Sequence, residues 1–203
     1  MGLPISALAL WLGTAFASGV NAYAVLGLLG LVGRFLDPAA LPTELAWLTH
    51  PYVLGVALFL FACEFLIDKT RRGATLWDAL HAFVRPMVAT GLGFLLLAAL
   101  PWWWQIGGAL FGGACAFAVH GTKASIRFAT YRRPERFPIG VLSLVEDATA
   151  LLLTYLSLFR PVAALAMVVL GSVPVVVVLP RVFHAFLRAV NRTLDSMLSR
   201  SQN

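Results

Sequence analysis

Long apolar runs separated by short polar stretches dominate the pattern of the chain. No Asp, Glu, Lys or Arg occurs in 1–33, 45–63, 86–122 or 161–180. A helix of about 20 apolar residues is long enough to cross the ~30 Å hydrocarbon core of a bilayer. The pattern therefore predicts an all-α transmembrane fold.

The breaks in these runs predict about six spans, at 3–33, 51–67, 86–104, 105–127, 138–159 and 162–180. The uncharged run 86–122 is too long for one helix, and we expect a hairpin that turns at Pro101, because the Trp residues after it prefer the headgroup region. Two stretches, 75–85 and the tail 181–203, carry apolar residues on one face and charged residues on another. This pattern is typical of amphipathic helices that lie along the membrane surface.

The two halves of the chain, 1–104 and 105–180, carry similar marks in the same order. These marks are a small-residue segment (18–23 and 120–125), a carboxylate (Glu64 and Glu146) and an Arg-Pro pair (85–86 and 160–161). With three spans in each half, the second half would enter the membrane from the opposite side. We therefore expect a 3+3 inverted-topology repeat, a type of fold that places its site near the midplane.

Charge is scarce and unevenly distributed. The chain has 15 Lys and Arg and 9 Asp and Glu, and 12% of its residues are charged, against roughly 25% in soluble domains. This composition excludes a soluble globular protein, and we expect no nucleic-acid partner. With six alternating spans, 13 basic residues fall on one side, and Arg34 and Arg160 fall on the other. Because basic loops stay cytoplasmic, both termini are predicted cytoplasmic, with anionic phospholipid at the basic face.

Polar and ionisable residues within the spans are the candidate site, because such groups are costly in a membrane and usually face partners or water. The residues expected to bind a substrate are Ser18, Asn21, Tyr23, His120, Lys123, Ser125 and Arg127. Those expected to form a proton-coupling or charge network are Glu64, Asp68, Lys69, Asp78, Arg85, Glu146 and Asp147. The alternative interpretation is a structural ion-pair network that locks the helices together. No His or Cys spacing indicates a metal site, and we expect no cofactor.

Several short motifs together resemble a family of small bacterial integral membrane proteins catalogued as a domain of unknown function. These motifs are Ala17–Tyr23, Glu64 with Asp68-Lys69, Trp77-Asp78 with Arg85-Pro86, His120–Arg127, and Ser143 with Glu146-Asp147. The resemblance implies a multi-pass protein of the bacterial inner membrane. It supplies no activity.

Three functions fit these observations. The first is a transporter or channel for a small solute or ion. The second is an enzyme or carrier that acts on a lipid headgroup, although no HExxH, nucleophile or phosphate-loop motif supports an enzyme. The third is a non-catalytic membrane scaffold. Small residues spaced four apart, at Gly108, Gly112 and Ala116, would also permit a homodimer.

Overall fold

A computed structural model describes residues 3–131 and 139–200 of the chain. All regular structure in these residues is helical, as the apolar pattern predicts. The helices are α1 (Ile5–Leu31), α2 (Pro51–Ile67), α3 (Arg71–Leu96), α4 (Trp102–Tyr131), α5 (Ile139–Phe159) and α6 (Pro161–Arg200). A π-helical turn (Val32–Leu36) and two 3₁₀ helices (Pro38–Ala40 and Thr43–Thr49) join α1 to α2. The predicted start of the fifth span at 138 and the segment 201–203 lie outside the described residues.

Several helix boundaries follow from local sequence signals. Pro51 occupies the first turn of α2, where its missing N–H costs nothing. The side chain of Thr70 caps α3 by accepting a hydrogen bond from the Gly73 N–H at 3.2 Å. The hairpin predicted around Pro101 is confirmed, since α3 ends at Leu96 and α4 begins at Trp102.

The two predicted surface helices are not separate elements. Residues 75–85 form the first part of α3, which continues through Pro86, and Arg85 in this stretch is fully buried. Its polar face contacts protein instead of headgroups. The tail is likewise continuous with α6, which runs to Arg200 with Pro174 and Pro180 inside it. A proline therefore marks no helix boundary at these positions, although it removes a backbone donor.

Several helices are long and apolar enough to cross a membrane. By length and composition, four segments qualify: Ile5–Leu36, Arg72–Leu96, Gly140–Phe159 and Pro161–Val178. The pair Thr43–Thr49 and Pro51–Ile67 would be a fifth if it counts as one span, but it is bent by 73°. These helices are compatible with a multi-pass membrane protein.

Contacts between helices fix the direction of α4 relative to α1. Trp11 lies against Gly112, and Gly19 lies against Ala116, so the two helices run in the same direction. The small residues on this face of α4 are therefore packed against α1.

Helix α3 runs opposite to α1, because Gly93 lies against Trp11 near the start of α1, whereas His81 contacts Tyr23 further along it. Helix α5 also runs opposite to α1. Ser157 lies against Gly13 near the start of α1, and Asp147, ten residues earlier on α5, contacts Asn21 further along α1.

Helix α2 runs opposite to α1 as well, with Leu54 against Gly30 and Leu58 against Gly27. Six alternating spans would make α1 and α3 parallel, and an inverted repeat would make α1 and α4 antiparallel. The observed directions contradict both expectations. The physical reason is the length of α2, whose 17 residues extend about 25 Å at 1.5 Å per residue, less than the ~30 Å hydrocarbon core.

Candidate functional site

Helix α1 is interrupted near the point where the other helices converge. Asn21 has non-helical backbone angles (φ −152°, ψ 102°), and its side-chain oxygen accepts a hydrogen bond from the Ala24 N–H at 3.0 Å. Asn21 thus acts as the N-cap of the second part of α1. The break leaves backbone carbonyls for other partners: Lys123 donates to the Val20 carbonyl at 2.8 Å, and Arg85 donates to the Gly19 carbonyl at 3.5 Å.

Arg85, on α3, is fully buried beside this break. Its guanidinium donates to Glu64 on α2 at 2.6 Å and lies 3.6 Å from the Asp78 carboxylate. It also donates to Nδ1 of His120 at 2.5 Å. The Nε2–H of His120 donates to the Asp78 backbone carbonyl at 3.0 Å, so these two partners are those of a neutral imidazole.

Arg127, on α4, joins three carboxylates from three other parts of the chain. It donates to Asp68 at 2.5 Å and to Asp78 at 3.2 Å, and it forms a two-point contact with Glu146 on α5. The Arg127 side chain is only 3% exposed. An arginine held by several carboxylates in this way supplies the planar array of donors that lysine lacks.

Lys123 lies one helical turn before Arg127 and is shared more loosely. Its ammonium nitrogen lies 3.4 Å from Glu146, 3.8 Å from Asp68 and 3.9 Å from Glu64. These distances make Lys123 a central cation between α2, α5 and the break in α1.

Asp147 and Lys69 extend the cluster along α5. One Asp147 oxygen accepts a hydrogen bond from the Asn21 amide at 2.9 Å, and Lys69 donates to the Ser143 hydroxyl at 2.9 Å. Separately, Tyr23 and His81 are joined by a 2.9 Å hydrogen bond between the phenol oxygen and Nε2.

We call the ionic residues among these that are buried or, like Glu146, nearly buried the charge network. Its members are Glu64, Asp68, Asp78, Arg85, Lys123, Arg127, Glu146 and Asp147. Among the described residues it contains five carboxylates and three cations, so acidic groups are in excess. Charges buried in this way are costly unless they are paired, and pairs broken by removal of one partner are strongly destabilising.

The structure brings together most of the residues that the sequence singled out. Ser18 is fully buried with no hydrogen-bond partner for its hydroxyl among the described residues. Ser125 stands apart from the charge network, and its hydroxyl donates back to the Gly121 carbonyl at 2.6 Å.

Sequence reasoning missed two kinds of contact at the site. The backbone carbonyls of Gly19 and Val20 are acceptors only because α1 is broken, and no sequence signal fixes that break to one residue. His81 was visible as a polar residue on α3, but its contact with Tyr23 depends on the unexpected direction of α3.

Two cavities flank the charge network on opposite faces of α4. One, of about 360 Å³, lies between α1, α4, α5 and α6 and is mostly apolar, with Lys123 and Glu146 as its charged lining residues. The other, of about 420 Å³, lies between α3 and α4 and is lined by Asp78, His120 and Arg127 among others. We refer to them as the α1/α6 cavity and the α3/α4 cavity. No group of His, Cys, Asp and Glu in the described ranges is arranged to hold a metal ion.

Long apolar helices around a charge network and an interrupted helix are compatible with one class, helical multi-pass membrane proteins with ionic side chains between their helices. Within that class, the chain belongs to the family described as Domain of unknown function (DUF4126), whose model matches residues 8–181. This agrees with the family resemblance of the sequence motifs. Comparisons with curated proteins and with solved structures give no match.

Proposed function

We propose that this protein is a membrane transporter or channel for a small solute or ion, with the charge network as its site. The observation that carries the proposal is the position of the network. It joins four helices to the break in α1 and lies between two cavities on opposite faces of α4. Interrupted helices expose backbone groups for binding within a membrane, which continuous helices do not.

The same geometry supports an arrangement in the bilayer. Helix α6 begins after Arg160 alone, where α5 ends near the start of α1, and its Gly171 lies against Phe16, so α6 runs in the direction of α1. In this proposal α1, α4 and α6 cross one way, α3 and α5 cross the other way, and α2 runs only partway into the bilayer from the end where α1 finishes. Among the described basic residues outside the charge network, only Arg160 then lies at the end where α1 begins. In this proposal the basic end and the C-terminal end are cytoplasmic, the N-terminal end is on the opposite side, the membrane is the bacterial inner membrane, and anionic phospholipid contacts the basic end.

A transport assay tests the site assignment. Purified protein in liposomes is given gradients of inorganic phosphate, glycine or choline, and currents and internal pH are recorded. We expect a signal for the wild type, and its loss in Glu146→Gln and in Lys123→Ala. Glu44→Gln, which changes an exposed carboxylate in a 3₁₀ helix, is the matched control and should retain the signal. Signals equal to protein-free liposomes, or full activity in both network variants, would contradict the proposal.

A lipid-headgroup carrier or enzyme is the second candidate, and one observation favours it. The α1/α6 cavity is apolar along most of its wall and carries Lys123 and Glu146, which suits an acyl chain with a charged headgroup. Mass spectrometry of the purified protein would detect a retained phospholipid, and Lys123→Ala should release it. If neither protein retains lipid, this candidate fails.

The scaffold alternative predicts a network that is fully paired. Among the described residues, buried oxygens of Glu64, Asp68 and Asp147 accept no hydrogen bond. Unsatisfied buried carboxylate oxygens are costly, so a network that served only to hold helices together gains nothing from them.

A further inference from the structure

Asp147 differs from the other carboxylates of the charge network. Glu64, Asp68, Asp78 and Glu146 each lie within 4.0 Å of a Lys or Arg nitrogen, whereas Asp147 has no such ion pair among the described residues. Asp147 is only 4% exposed, and its second oxygen has no hydrogen-bond partner.

The charged groups around Asp147 do not supply a counter-ion. On α4, Lys123 is already shared by three carboxylates and the Val20 carbonyl. Lys69, next to α2, donates to the Ser143 hydroxyl, and Glu64 on α2 and the adjacent Glu146 add negative charge. The packed parts of α1 and α6, within 5–31 and 161–180, contain no Asp, Glu, Lys or Arg.

The count of charges in the cluster shows that one positive charge is missing. The five carboxylates of the network face its three cations, and Lys69 brings the local cations to four. One proton makes the cluster neutral. Burial of an ionised carboxylate without a partner is far more costly than burial of a neutral carboxyl group, so the proton belongs on the carboxylate that has no cation.

We propose that Asp147 binds a proton in this conformation and releases it when the break in α1 rearranges, so that H⁺ is the coupling ion. The hydrogen bond from Asn21 links the proton site directly to the broken helix. The Asn21 donor favours the ionised carboxylate, so the proton is released by a rearrangement of the break that gives Asp147 access to water and to Lys123 while this hydrogen bond is kept. The inference deepens the proposed function, because it rests on transport and names the ion.

Infrared spectroscopy tests the proton without any solute. At neutral pH, the wild-type protein in lipid should show the C=O stretch of a protonated carboxyl group. Asp147→Asn should remove that band, and Asp37→Asn, which changes a partly exposed carboxylate outside the charge network, should leave it in place. Absence of the band in the wild type, or its persistence in Asp147→Asn, would overturn the assignment.

A second measurement covers the case in which Asp147→Asn does not fold. Wild-type protein labelled with ¹³C at the aspartate carboxyl should show the same band at lower frequency, and an unshifted band would assign the proton to a glutamate and overturn the proposal. In liposomes, solute-driven acidification that persists in Asp147→Asn would overturn the coupling role. If the wild type moves no solute while the labelled band is present, the proposed function fails and the proton assignment stands.

Discussion

At the scale of single residues, the free-energy cost of burying a charged group decides which site residues can be predicted from the sequence. Ionisable side chains inside apolar runs, such as Glu64 and Asp147, stand out in the sequence because a membrane interior disfavours charge. Sequence reasoning therefore named all eight members of the charge network in advance, although it assigned Lys123 and Arg127 to substrate binding. It could not assign partners, because Arg85 and His120 meet only when α3 and α4 are docked. Nor could it predict that Ser125 turns back to its own helix.

Arg127 is the residue on which most of the network depends. Its replacement by Ala leaves Asp68, Asp78 and Glu146 without their best partner. Removal of one member of a buried ion pair costs about 3–5 kcal/mol, so Arg127→Ala should lower the thermal unfolding temperature sharply. Arg127→Lys should rescue only part of the loss, since an ammonium lacks the planar donor array.

Thermal unfolding in detergent or lipid measures this loss. Arg34→Ala is the control, because Arg34 is exposed and donates only to the Thr49 carbonyl among the described contacts. Its removal should change the free energy of unfolding by no more than about 1 kcal/mol. Equal stability of the Arg127→Ala and wild-type proteins would show that the network does not hold the helices together.

At the scale of helices, it is easier to predict where a helix begins than whether a helix continues through a proline. Pro51 and the Trp residues at 102–104 mark real helix starts. The prediction that a span begins at Pro86 is wrong, because α3 continues through this proline. The direction of α3 could not be predicted either, since counting apolar runs assumes that each one crosses, and α2 is too short for that.

The close contact between α1 and α4 rests on Gly19. A methyl group at this position would lie 2.6 Å from the Ala116 carbonyl oxygen and 2.7 Å from Cβ of Val119. Overpacking of this kind costs about 1–3 kcal/mol, and here the obstruction includes backbone. Gly19→Ala should therefore destabilise the fold and displace the carbonyls that Lys123 and Arg85 contact.

Gly55→Ala is the matched control on α2, where an added methyl group meets nothing within 4 Å. Because Gly is disfavoured inside helices by roughly 0.5–1 kcal/mol relative to Ala, this variant should be neutral or slightly more stable. Unfolding temperatures of the two variants, measured side by side, give the comparison. A Gly19→Ala protein as stable as Gly55→Ala would mean that α1 and α4 do not pack as closely as described.

At the scale of the whole molecule, the observed helix directions separate the basic residues to one end more completely than the six-span scheme does. That scheme left Arg34 and Arg160 on the side opposite to the other basic residues. With α2 running from the end where α1 finishes only as far as the charge network, Arg34 lies at the basic end and only Arg160 is left at the other. The positive-inside rule therefore supports five crossings more strongly than it supported six.

Cysteine labelling in intact cells separates the two schemes. In a protein with Cys63 and Cys115 replaced by Ala, single cysteines are introduced as Ser6→Cys, Glu44→Cys and Arg160→Cys, at positions that are exposed. Five crossings place Ser6 outside and Glu44 inside, so a membrane-impermeant maleimide should label Ser6→Cys and leave Glu44→Cys unlabelled until the cells are opened. Six alternating spans predict the reverse for both. Arg160→Cys is outside in either scheme and controls for reagent access. Labelling of Glu44→Cys but not of Ser6→Cys would therefore reject the helix directions, and with them the return of α2 to the charge network.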